Sequence, residues 1–173
     1  MAGTMIKAAM VAFAVVSAFG ADPEQVRFSA GDESVEHAIH LPDEVVAILK
    51  NDGAVRQVLE SEHLSAGHLP MSWFAASEVH LAGPKEKDIV VVGMGKLKRA
   101  GLTTFWVFRP RYPGYEVLLS ATEHDLTVTD ERWKAYRIIK TSAVTATSIR
   151  SAAYRFEGGQ YKMFKDSSVK RAE

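Results

Sequence analysis

Apolar positions along the chain change their period at two places. Residues 21–40 are polar, rich in Gly, Asp, Glu and Ser, and show no period, so they read as a mobile lead-in. Pro42, Asp43 and Glu44 then have the chemistry of a first helical turn, where Pro gives up no hydrogen bond and acids meet the positive end of the helix dipole. Val45, Ile48 and Leu49 follow at helical spacing, Asn51-Asp52-Gly53 breaks the run, and Val55, Val58 and Leu59 form a second stripe. This pattern predicts one kinked or two short amphipathic helices.

From Trp73 the period falls to two, and β-branched and aromatic residues accumulate. Strands are predicted at Trp73–Leu81, Asp88–Gly93, Thr103–Arg109, Tyr115–Ala121, Tyr136–Ala143, Ile149–Phe156 and Tyr161–Phe164. Gly83-Pro84-Lys85, Pro113-Gly114 and Glu157-Gly158-Gly159-Gln160 supply turns. Short sequential strands after a helical stretch predict an α+β domain, an antiparallel β meander with one or two N-terminal helices packed on it. The expected division is a single α+β domain over 41–165 and a flexible tail over 166–173.

The first 20 residues have a separate character: Lys7, an apolar run from Ala8 to Phe19, and Ala18-Phe19-Gly20 match a secretory signal peptide over 1–20 with its small-x-small cleavage site. The run of 12 residues is shorter than the ~20 that cross a bilayer, so the expectation is export to the periplasm or exterior with no stable membrane insertion after cleavage. The chain has no Cys, which removes thiol catalysis, Cys-ligated metal and a disulfide scaffold from consideration.

Charge balances overall, with 21 Lys plus Arg against 21 Asp plus Glu in 173 residues, which argues against nucleic acid as a partner. Locally it does not balance. Residues 21–62 hold ten acids and three bases, a net of −7, and residues 132–173 hold ten bases and three acids, a net of +7. The two halves lie against each other, or they are simply solvated faces, or a basic surface meets an acidic partner such as an anionic polysaccharide or an acidic protein.

Catalytic signatures are weak. Val92-Gly93-Met94-Gly95-Lys96 follows a buried strand, but it lacks the third glycine of a dinucleotide loop, and Leu97 stands where a P-loop needs Ser or Thr. A glycine turn between strands is the expected reading, and no cofactor is expected. His37 and His40 lie beside Glu33, Glu36 and Asp43 without a metal-binding motif, so no metal site is assigned. Ser120, His124 and Asp125 are close in sequence, but adjacent strand residues point to opposite faces. Glu116, Glu123 and His124 are the residues a small hydrolase would have to use.

Aromatic residues concentrate at Phe105, Trp106, Phe108, Tyr112 and Tyr115, and both faces of the Phe105–Phe108 segment are apolar, as in a central strand. Lys96, Lys98, Arg99, Arg109 and Arg111 would sit at its ends beside Tyr112, forming a basic, aromatic rim suited to an anionic or sugar-bearing partner.

Several segments between Trp73 and Tyr161 resemble a loose group of uncharacterised secreted bacterial proteins: Glu78-Val79-His80-Leu81, Asp88 to Gly93, Thr104 to Arg109, Gly114 to Leu119, and Tyr154 to Tyr161. The Asp88 strand is similar to one degenerate FG-GAP unit. The resemblance implies calcium binding before that strand, but Lys85 and Lys87 replace the acidic ligands. Gly158-Gly159-Gln160-Tyr161 is similar to the S-G-x-x-Y loop of periplasmic lysozyme inhibitors, which implies a role for Gly159 and Tyr161 in an inhibitory hairpin; Gly158 replaces the serine. The leading expectation is an exported, non-enzymatic binding module for an unknown protein or anionic envelope component. An inhibitor or immunity-type protein acting on a cell-wall hydrolase, and a small hydrolase, are the alternatives.

Overall fold

A computed structural model describes residue 24 and residues 26–170; the signal peptide read at 1–20 lies outside the described residues. Among the described residues nine strands and two α-helices follow one another. They are β1 (Arg27–Ser29), α1 (Asp43–Leu49), α2 (Gly53–Ser61), β2 (Phe74–Val79), β3 (Asp88–Gly93), β4 (Thr103–Arg111), β5 (Gly114–Glu123), β6 (Asp125–Trp133), β7 (Tyr136–Val144), β8 (Ser148–Glu157) and β9 (Gln160–Lys170).

The strands form two antiparallel sheets, ordered β2-β3-β4-β5 and β1-β6-β7-β8-β9. The α+β class holds. A single meander does not describe the molecule, because the chain leaves one sheet for the other at the Glu123–Asp125 corner and β1 joins beside β6.

The four-stranded sheet has apolar residues on both faces, because both are covered. Val90, Val92, Phe105 and Val107 pack against Phe28, Leu126, Val128 and Ile139 of the five-stranded sheet. Their neighbours Ile89, Val91, Trp106 and Phe108 pack against Val45 and Leu49 of α1 and Val55, Val58 and Leu59 of α2. Alternation along each strand therefore feeds two cores, and β3 and β4 read as unbroken apolar runs for this reason. The layers are helices, four strands, five strands.

The sequence break at Asn51-Asp52-Gly53 separates two helices rather than kinking one. Asp52 caps α2 by accepting from the amides of Ala54 and Val55 at 2.9 and 3.2 Å. Its other carboxylate oxygen accepts from Trp106 Nε1 at 2.9 Å, which ties the helix start to the centre of the four-stranded sheet.

Two boundaries move. The segment read as a mobile lead-in contains β1, and its Phe28 is fully buried with Val35 in the same core. Residues 166–170, read as tail, complete β9. The strand at Asp125–Trp133, which sequence reasoning passed over, buries Leu126 and Val128 between polar neighbours.

Candidate binding surface

Antiparallel order brings the β4–β5, β6–β7 and β8–β9 hairpins and the loop after β2 to one end of the molecule. Arg109, near the end of β4, reaches across to the five-stranded sheet there. Its Nε donates to Asp88 Oδ1 at 2.9 Å and its Nη1 to the Tyr136 hydroxyl at 3.0 Å. The guanidinium lies 4.8 Å from the ring centre of Tyr136 and 5.1 Å from that of Phe156.

Asp88 is fully buried, and its Oδ2 also accepts from the Leu81 amide at 3.2 Å. Burial pushes its carboxyl above the usual carboxylate range, against the lowering pull of the Arg109 hydrogen bond and charge. Both oxygens serve the core, so Asp88 is not free to ligate calcium. A cleft of about 500 Å³ opens beside this pair, lined by Lys85, Glu86, Lys87 and Pro110 as well as Arg109 and Tyr136.

A second stack lies on the opposite side of the same sheet. Arg155 precedes Phe156 in β8 and so points to the outer face. Its guanidinium is 4.5 Å from the Trp133 ring centre and 5.2 Å from that of Phe164. Trp133 is 39% and Phe164 43% exposed. Arg155 Nε pairs with Glu157 at 2.8 Å.

The rim expected from the sequence divides. Lys96, Lys98 and Arg99 lie before β4 begins, while Arg109, Arg111 and Tyr112 lie at its far end, about 27 Å away at ~3.4 Å per strand residue. The first group serves local structure. Lys96 pairs with Glu62 at 3.0 Å, Lys98 donates to the Asp32 carbonyl, and Arg99 donates to Ser61 Oγ at 3.4 Å.

In the second group, Arg111 pairs with Glu116 at 2.6 Å and Tyr112 is 99% exposed at the hairpin tip. Arg109 is mostly buried, not a surface cation, because it neutralises Asp88. Gly159 sits exposed in the β8–β9 turn, where φ is +62° at Gly158 and +93° at Gly159; a two-residue hairpin demands such left-handed geometry.

Tyr161 cannot be a reactive tip residue. It is buried, its hydroxyl donates to the Arg137 carbonyl at 2.8 Å, and burial raises its phenol far above the ordinary range. Phe156 packs edge-on against it at 5.7 Å, within the same inner cluster.

The residues proposed for hydrolysis are scattered. Glu116 and Glu123 are seven positions apart on β5, roughly 20 Å, against the ~5–10 Å of a glycosidase pair. Glu123 is buried with Arg150 at 3.1 Å. His124 Nδ1 accepts from the Val144 amide at 2.9 Å, and Asp125 accepts from Ser142 at 3.1 Å. Ser120 is exposed on β5. Among the described residues no three His, Asp or Glu side chains are grouped to hold a metal ion.

Charge segregates by layer. The only ion pair between the acidic 21–62 segment and the basic 132–173 segment among the described residues is Glu24 with Arg137, at 2.9 Å. Lys134, Lys162, Lys165 and Lys170 have no ion-pair partner among the described residues, so the five-stranded sheet keeps an unbalanced positive charge.

Trp133 and Phe164 were missed in the sequence because they lie in stretches read as loop or as a single short strand. The available signal was the Arg-aromatic spacing across the β8–β9 hairpin, which only the turn register makes visible. Fold and surface together define an α+β domain of two packed antiparallel sheets with a helical pair on one side. Comparison with protein-family models, curated proteins and solved structures finds no match, so the functional reading rests on this geometry.

Proposed function

We propose that the chain is an exported, non-enzymatic binding module that holds an acidic protein or envelope component against the hairpin end of its five-stranded sheet. The observation that carries this reading is the solvent-facing stack of Arg155 between Trp133 and Phe164. Neither ring closes a core, and no described element covers them. Trp and Arg dominate binding energy at protein interfaces, and a stacked guanidinium presents its donors without losing much side-chain freedom on binding.

Lys134 and Lys162 flank the stack and make the local field positive, which favours an acidic partner. The apolar segment ending at Gly20 supports export. We read the architecture as two successive meanders, β2–β5 and β6–β9. In that arrangement the first is buried on both faces and the second leaves one face for a partner.

The test is capture from envelope and secreted fractions of the chain's own source, using residues 21–173 at ~0.1 and ~1 M salt. A Trp133→Ala, Phe164→Ala double variant is expected to lose a partner that the wild type retains and that high salt releases. Equal capture by the double variant refutes this surface.

A further inference from the structure

β9 is the last strand of the five-stranded sheet and its longest, running Gln160–Lys170 with every residue but Tyr161 exposed. The other sheet edges are short or occupied. β1 has three residues, β2 is bridged by Ala38 opposite Ser77, and β5 packs against α1 and approaches β9, an approach that leaves every β9 residue but Tyr161 exposed. A register shift near Tyr154 divides β9, and beyond it Lys165–Lys170 pairs continuously with Ser148–Ala153 of β8. That half offers an unbroken row of outward N–H and C=O groups, the template on which another strand can add.

The outer face beside this edge is ordered in rows by the strand register. One row is Lys140, Ala153 and Lys165; the next is Ser142, Ser151 and Ser167; the third is Val144, Ile149 and Val169. The first two rows line a shallow groove of about 260 Å³. The third is apolar yet open to solvent, at 38%, 42% and 64% exposure. Lys140 is neutralised by Glu131 at 2.5 Å, whereas Lys165 has no acid partner among the described residues.

We infer that the Lys165–Lys170 edge accepts an extended segment of a partner protein as a sixth, antiparallel strand. The segment carries an apolar side chain opposite Val169 and, four residues later, an acid opposite Lys165. Directly opposed cross-strand side chains share a face, so this spacing places each beside its complement. A second copy of the chain is a poorer occupant. β9 carries Lys162, Lys165 and Lys170 against Asp166 alone, so two such edges repel. The inference rests on the binding-module reading and specifies how the partner attaches.

The probe is a blocked nine-residue peptide of threonines with valine and, four positions later, glutamate. Amide shifts in labelled protein report where it binds, and anisotropy of a labelled peptide reports affinity. Binding is expected to move the Lys165–Lys170 amides and to weaken at least about tenfold when the peptide amides facing β9 are N-methylated, through loss of backbone hydrogen bonds. Lys165→Glu is expected to weaken it about fivefold, and lysine in place of the peptide glutamate to restore it.

An N-methylated peptide that binds as well as its parent overturns strand addition. So does a peptide that binds neither in this order nor reversed. Failure of the charge exchange to rescue overturns the acid preference. In each case the binding-module reading stands or falls separately, on whether Trp133→Ala, Phe164→Ala still abolishes capture.

Discussion

Replacing Arg109 with methionine tests the account of the inner stack most directly. Asp88 is fully buried and Arg109 is 14% exposed, so the variant leaves a carboxylate in the core with only the Leu81 amide to solvate it. Breaking a buried pair in this way costs about 3–5 kcal/mol at neutral pH. The loss depends on pH. Burial already holds the Asp88 carboxyl above its ordinary value of 3.8, and removing Arg109 takes away the two largest opposing influences, so the carboxyl rises further. The folded chain then binds a proton more tightly than the unfolded chain, and stability falls as pH rises from the unfolded value through the folded one. Each pH unit inside that window is worth about 1.4 kcal/mol. Below the window the acid is neutral, and the remaining deficit is about 1–3 kcal/mol, from the lost stacking on Tyr136 and Phe156 and the lost bond to the Tyr136 hydroxyl. Urea unfolding at about pH 7.5 and about pH 3 measures both limits, and with a slope of ~2 kcal/mol per molar the neutral deficit moves the midpoint by about 2 M. Adding Asp88→Asn to the variant removes the charge and is expected to recover most of the neutral deficit. A deficit equal at both pH values, with no recovery in the double variant, refutes the buried-charge argument.

Asp52→Ala removes the α2 cap and strands the Trp106 indole N–H, for an expected loss of about 2–4 kcal/mol, seen as a lower Tm and altered Trp106 fluorescence. Gly93→Ala places a Cβ 2.6 Å from Thr103 Oγ1 and 3.1 Å from Leu97 Cβ, an overpacking expected to cost about 1–3 kcal/mol in thermal unfolding and to be partly relieved by Thr103→Ala. Tyr161→Phe leaves the Arg137 carbonyl without its phenol donor, at about 1–2 kcal/mol. Because burial raises the Tyr161 phenol, the wild type should lose stability as pH climbs above ~10, and that slope should disappear in the variant's alkaline unfolding curve. Arg155→Met is expected to change stability by no more than about 1 kcal/mol in urea while abolishing partner capture, since its ion pair and both of its rings are partly exposed to solvent.

Seven of the nine strands were legible because their side chains alternate or because, as in β3 and β4, both faces are apolar. β6 was passed over since Asp125, Asp130, Glu131 and Arg132 mask the Leu126 and Val128 alternation. β1 was passed over because three residues give no period at all, and Phe28 owes its burial to pairing with a strand about a hundred positions away. The same limit applies to the surface. Nothing local distinguishes Arg109 from Arg111, although one is enclosed by Asp88, Tyr136 and Phe156 and the other forms a solvent-exposed pair with Glu116. The two lie two positions apart on β4 and so share a face; Arg109 is enclosed because Asp88, Tyr136 and Phe156 stand opposite it, whereas Arg111 lies past them at the hairpin end, and that placement is a tertiary fact.

Arg109 and Arg155 present the same chemistry on the two sides of one sheet, and the contrast between them separates structure from function. Arg109 is needed because Asp88 is buried; its stack closes the open end of the inner core, and selection for folding alone accounts for it. Arg155 has no buried charge to offset, and Trp133 and Phe164 keep 39% and 43% of their surface in solvent. The outer stack therefore gains little from the fold it sits on. It lies at the end of the sheet face that the helices and the four-stranded sheet leave open, beside lysines that pair with no acid among the described residues. Exposed rings held beside a guanidinium in a positive field are what an acidic surface would cover, and the proposed binding role rests on that contrast with the enclosed Arg109 stack.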